Sequence, residues 1–229
     1  MTAHSDIVLY HSSERIPSFC GMCYNGVVMN IERFIGGAYS ANGYVITGDT
    51  GTGCWVIDPG YHPEKFIWTI RRQRLQPEGI LLTHHHDDHT GAAAALKREL
   101  DCPVYIHRAD RAAYGGPADV LLEGGEKLTL GSLSCRVVHT PGHTKGGVCF
   151  YFGEERCCFT GDTIFNVDLG RTDLSDGSPK EMEQTIRKIV DRWADDVRIY
   201  PGHGDDCTMA YVREINREFL DIVDRRSTR

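Results

Sequence analysis

The sequence predicts an α/β protein folded as a four-layer αββα sandwich. Short apolar runs bounded by Gly, Pro and Asp recur in two β-rich halves, and helical patterns accompany each half. His and Asp residues cluster on glycine-bearing loops directly after several of these runs, so the strand-end loops of both halves are expected to meet along one edge. At 229 residues the chain is long enough to bury a large core. It shows no internal repeat and no low-complexity linker, so one domain is expected over residues 29–229, preceded by a peripheral extension, 1–28.

Residues 1–28 carry no sustained period. Their Cys20-Gly21-Met22-Cys23 reads as two free thiols, or as half of a zinc or redox pair that no second C-x-x-C completes. Met29 directly precedes the first strand and is a candidate start of the natural product. Residues 31–35, 43–47 and 54–57 read as strands, with Gly36-Gly37 and Gly48-Asp49 as turns and Asp58-Pro59-Gly60 as a break. A helix follows over 63–75, with Pro63 suited to its first turn and Phe66, Ile67 and Ile70 on one face. Residues 79–82 form a short buried strand, and the alanine-rich run 91–100 a helix. Residues 103–106 read as a strand, and His107 after them as a packing residue. Strands are expected over 127–130 and 135–138, with His139 packing at the end, and over 148–152 and 157–160 around Gly153-Glu154-Glu155. Cys149, Cys157 and Cys158 serve there as small hydrophobes. After a polar loop, 166–177, Ser178-Pro179-Lys180-Glu181 is a helix start with a Ser cap, Pro at the first position and Glu at the third. Met182, Ile186, Ile189, Val190 and Trp193 mark its buried face. A strand over 197–200 and a last helix over 208–223 complete the domain.

Four ligand-type side chains, His84, His86, Asp88 and His89, lie on the turn between the strand 79–82 and the alanine-rich helix. Two apart in extended backbone, His84 and His86 point the same way, so one ion can take both. Asp88 and His89 fall where the chain turns and can face a second ion. The alternative, a solvated histidine run, would set four costly polar groups straight after a buried strand to no purpose. The pattern also recurs downstream: His143 in Thr140-Pro141-Gly142-His143-Thr144, Asp162 in Phe159-Thr160-Gly161-Asp162-Thr163, and His203 in Tyr200-Pro201-Gly202-His203-Gly204.

This ordered set, H-x-H-x-D-H, then PGH, GD and PGHG, resembles the metallo-β-lactamase superfamily of metallohydrolases over about residues 29–223. Gly161-Asp162-Thr163-Ile164-Phe165 followed by Gly170-Arg171-Thr172-Asp173-Leu174 looks like its glyoxalase II (hydroxyacylglutathione hydrolase) branch. The chain ends one helix after His203, so it resembles the shorter members without the helical C-terminal domain. The resemblance implies that His84, His86 and His143 hold one metal, Asp88, His89 and His203 a second, and that Asp162 bridges them. Zinc suits these ligands best, with iron or manganese also compatible. Two such ions would hold a bridging hydroxide as nucleophile, with Asp88 and Asp162 as the catalytic carboxylates. Asp58 reads either as a turn residue or, by the resemblance, as support beneath the metals. Lys145 either meets an anionic substrate group or is a solvated lysine. Arg171 is either a substrate contact or half of a structural pair with Asp173.

Composition limits the alternatives. A net charge of −7 argues against a dedicated nucleic-acid binder. No apolar run approaches the roughly 20 residues of a membrane span, and the N-terminus lacks the basic and apolar regions of a signal peptide. Nine cysteines without framework spacing fit reduced thiols, so a cytoplasmic location is expected. The expected partner is a small-molecule thioester or ester, such as S-lactoylglutathione, with oligomeric state left open. Competing functions are an iron-dependent persulfide dioxygenase, disfavoured because residues 166–171 lack the Cys that commonly precedes the GRTD segment in that branch of the family, a lactonase or other ester hydrolase, and a non-enzymatic metal-binding module.

Overall fold

The computed structural model describes residues 20–24, 27–48 and 51–224, with the strand residues before Met29 described as backbone alone. The first sheet contains seven strands in chain order: β1 (Cys20–Tyr24), β2 (Val27–Gly36), β3 (Ala41–Thr47), β4 (Gly53–Ile57), β5 (Gln76–Leu81), β6 (Val104–His107) and β7 (Val120–Leu122). The first four pair antiparallel, and β4 to β7 run parallel. Six strands form the second sheet, β8 (Lys127–Leu130), β9 (Leu133–His139), β10 (Val148–Phe152), β11 (Cys157–Gly161), β12 (Arg198–Pro201) and β13 (Cys207–Thr208), in the reverse order across the sheet. The helices are α1 (Pro63–Arg72), α2 (Asp87–Thr90), α3 (Ala93–Leu100), α4 (Arg111–Tyr114), α5 (Pro179–Lys188), α6 (Met209–Ile215) and α7 (Arg217–Asp224).

Strand alternation divides the apolar residues among three cores. Along β3, Tyr44 and Ile46 face the second sheet while Val45 faces the helices; Trp55 and Ile57 alternate with Cys54 and Val56 in β4. Phe150, Phe152 and Phe159 complete the central core from the second sheet. Phe66, Ile70 and Leu96 cover the outer face of the first sheet, whereas Met182, Ile186, Val212 and Phe219 cover that of the second. The expected helix–sheet–sheet–helix layering follows from this division.

Several boundaries differ from the sequence reading for local reasons. The last helix breaks at Asn216, whose backbone is extended and whose side chain leaves the helical register for other partners. Its Nδ2 donates to the Phe165 and Asp168 carbonyls, and its Oδ1 accepts from the Phe219 amide to cap α7. The helix from Pro63 stops at Arg72, because Arg74 takes a left-handed φ of 55° that turns the chain into β5. β7 and β13 are too short to carry a readable period and exist through pairing with β6 and β12. Residues 20–24 and 27–28, expected to stand apart as an extension, add an edge hairpin to the first sheet. Residues 1–19 and the Cys20 and Cys23 side chains lie outside the description.

Candidate metal centre

Five loops converge where strands of both sheets end. Asp58 follows β4, residues 84–89 follow β5, His143 follows β9, Asp162 follows β11 and His203 follows β12. The isolated pairing of Ala41 with His203, and the Asn42 amide donating to the Gly202 carbonyl at 2.7 Å, join the two sheets at this rim. The approach is close enough that a Cβ on Gly202 would lie 2.2 Å from Asp162 Oδ1 and 2.6 Å from His89 Cε1, so only glycine fits.

The structure brings together all seven ligand-type side chains selected from sequence. His84, His86 and His143 each offer a nitrogen within one 4.8 Å group, and Asp88, His89 and His203 form a second such group. Asp162 stands between them: Oδ2 is 3.5 Å from His143 Nε2, and Oδ1 is 3.3 Å from His89 Nε2.

Three outward-facing nitrogens are hydrogen-bonded, which fixes the tautomers of His84, His143 and His203. His143 Nδ1 donates to the Arg171 carbonyl at 2.8 Å, and His203 Nδ1 to the Tyr39 carbonyl at 3.0 Å. Thr83 Oγ1 donates to Asp58 Oδ2 at 2.6 Å and therefore accepts from His84 Nδ1 at 3.0 Å. His89 Nδ1 faces the Asp58 carboxylate at 3.4 Å. The Nε2 atoms of His84, His89, His143 and His203 consequently face inward. His84 Nε2 and Asp162 Oδ1 are buried with no hydrogen-bond partner. His89 Nε2 and His203 Nε2 are 3.2 Å apart, beside the Asp88 and Asp162 carboxylates. Once their protons are released, these nitrogens and carboxylate oxygens are acceptors converging on one centre, which fits cations, and imidazole with carboxylate suits zinc, iron or manganese.

The electrostatics agree with that fit. Burial holds His84 well below the usual imidazole range, reinforced by His89 and His143. Burial, then the His143 charge, brings His86 down to about 4, keeping its lone pair free. Burial opposes charge on His203 too, but hydrogen bonds to Asp162 and Asp88 lift it to about 10. Burial alone would raise Asp162, yet His89 and His203 bring it to about 2. The two carboxylates thus demand positive charge at the centre, which protons or metal ions can meet.

A sequence profile of the metallo-beta-lactamase superfamily matches residues 36–203. The chain belongs to this superfamily. It is 32% identical to the hydroxyacylglutathione hydrolase GloC of Haemophilus influenzae, over 82% of this chain and 97% of that protein. It is 31% identical to the probable metallo-hydrolase YqgX of Bacillus subtilis, covering 82% and 96%. Among solved structures, TTHA1623 in a di-iron-bound form is similar at a TM-score of 0.72 and 35% identity, covering 81% of this chain and 98% of that one. These likenesses place the chain among metallo-hydrolases of the superfamily and agree with the two-sheet architecture.

The remaining sequence readings resolve by geometry. Asp58 does more than turn the chain: its carboxylate holds Thr83 and faces His89 beneath the ligand loop. Arg171 is exposed and grips Asp173 through two contacts of 2.7 and 2.9 Å, while its backbone carbonyl orients His143. The sequence reading missed Asp110, which is 1% exposed and accepts from the His85 amide, His85 Nδ1, Thr144 Oγ1 and the Gly146 amide. It ties the loop carrying His84 and His86 to the loop carrying His143. No local signal marks it, because its partners are 25 to 36 residues away. His107 and His139 stack at 4.2 Å beyond the ligand sets, as packing residues do. The seven cysteines with described side chains are free, and among the described residues no helix is long and apolar enough to cross a membrane.

Proposed function

We propose that this chain is a dinuclear metal-dependent hydrolase of thioesters, of the S-lactoylglutathione type. The observation that carries the reading is Asp162 standing between two groups of ligand nitrogens and oxygens, each built for one cation. His84, His86 and His143 would hold one ion, Asp88, His89 and His203 the other, with Asp162 shared. Bound there, the ions would polarise the thioester carbonyl and make hydroxide available near neutral pH. The chain's own groups orient and buffer. The Arg171 and Tyr39 carbonyls lock His143 and His203 in the tautomer that presents Nε2. Asp88, the more exposed of the two central carboxylates, is held below the usual carboxylate range; burial raises it, but His203 and His89 outweigh burial. It therefore stands ionised at the mouth of the site.

The relative named hydroxyacylglutathione hydrolase supports a thioester, and the di-iron-bound neighbour supports testing iron beside zinc. The experiment is metal analysis of protein purified without added metal, followed by turnover of S-lactoylglutathione by zinc- and iron-loaded protein. Near two ions per chain with thioester hydrolysis is expected. A single iron, or no thioester turned over by either form, overturns the reading.

A further inference from the structure

A cavity of about 410 Å³ lies beside the metal centre, lined by Lys145, Ser175, Asp176, Ser178, Lys180 and Glu181 among others. Asp176 joins cavity to centre, because its Oδ2 is 3.5 Å from His85 Nε2 and its carboxylate falls within one 4.8 Å group with His85 and His86. Lys145 is two residues beyond His143, and its carbonyl is held by His139 Nε2 at 2.9 Å, which anchors the base of the side chain. Among the described residues neither the Lys145 nor the Lys180 ammonium has a hydrogen-bond or ion-pair partner. Of the two acids in the wall, Asp176 already faces His85, which leaves Glu181 against two unpaired ammonium groups. Formally the two acids balance the two lysines, but both ammonium groups lack partners of their own, and the cavity opens next to the metal centre.

We propose that this cavity seats a carboxylate of the substrate, held by Lys145 and Lys180, so that the enzyme selects anionic over neutral thioesters. The inference rests on the thioester reading above. A carboxylate presents acceptors to both ammonium groups in charge-assisted hydrogen bonds. Gln184 and Glu181, on the same wall, can accept from an amide N–H beside that carboxylate.

The test compares wild type with K145Q/K180Q, both loaded with zinc. Three thioesters are used: S-acetyl-N-acetylcysteamine, without charge; S-acetyl-N-acetylcysteine, with a carboxylate on the thiol side; and S-glutaryl-N-acetylcysteamine, with one on the acyl side. Wild type should prefer at least one charged substrate by about tenfold in kcat/KM, the scale of one or two charge-assisted contacts, and the variant should lose that preference. Whichever charged substrate is preferred tells which side of the thioester enters the cavity. Binding of N-acetyl-S-methylcysteine and of glutarate, followed by NMR titration, needs no turnover. At least one should bind about tenfold more weakly to the variant. Failure of both to bind wild type, or equal binding to the two proteins, overturns the cavity assignment. Lysine-dependent binding with none of the thioesters hydrolysed would instead overturn the thioester reading and leave the assignment standing.

Discussion

Asp58 accepts the Thr83 hydroxyl at 2.6 Å and the Thr83 amide at 2.8 Å, and through that residue sets the ring of His84. Its φ of 47° lies in the left-handed region, which Asp and Asn visit more readily than other non-glycine residues. Asp58→Asn therefore keeps the backbone but removes the charge that orders Thr83, His84 and His89. Loss of such outer partners weakens metal affinity by roughly 10–100-fold. A chelator competition titration measures this, and unchanged affinity would show that Asp58 is only a turn residue.

Asp162→Asn keeps the shape at the point shared by the two ligand sets and removes one charge there. The second ion should weaken and kcat on a thioester should fall by roughly 100-fold or more, while KM moves much less. Metal analysis together with steady-state kinetics checks both parts. Two ions retained at full affinity would sink the shared role of Asp162.

The metal-free protein should lose stability at alkaline pH. His203, raised from 6.5 to about 10 by Asp162 and Asp88 against the pull of burial, contributes stability that is fully present below 6.5 and lost as pH rises through about 10. Burial and His143 lower His86 to about 4, so its contribution is present above 6.5 and lost as pH falls through about 4. Urea midpoints measured with chelator should fall between pH 6.5 and about 8, below the range in which unfolded thiols ionise. With zinc bound, the ion replaces the proton and the midpoint should hold across that window. A flat metal-free profile would contradict the raised His203.

Asn216→Ala removes the cap of α7 and two bonds to the loop that follows Asp162. A lost cap and two part-buried carbonyls left to water together cost about 3 kcal/mol at most. Thermal unfolding of the metal-loaded protein should drop by up to roughly 6–12 °C at this chain length. A shift within a degree or two would mean that water replaces the side chain.

Much of the site is legible along the chain because ligands on one short loop obey local rules. His84 and His86 share a side through strand alternation, and glycines beside His143, Asp162 and His203 mark sharp turns at strand ends. Asp110 and Asp176 left no such mark. The first acts only through groups that folding brings to it, and the second gains meaning only beside His85.

By itself the sequence determined the layers and which ligand-type side chains to look for, since period and spacing are properties of neighbours along the chain. Alternating apolar positions in β3, β4, β10 and β11 could be buried on both faces only between a second sheet and helices. Tertiary structure alone decided which nitrogen of His143 and of His203 faces the centre. That choice depends on a carbonyl or carboxylate supplied from elsewhere: Tyr39 for His203, 164 residues away, and Arg171 for His143, 28 residues away. It also decided that Lys145 and Lys180, 35 positions apart, share one cavity wall, because no periodicity relates a loop after β9 to the first turn of α5.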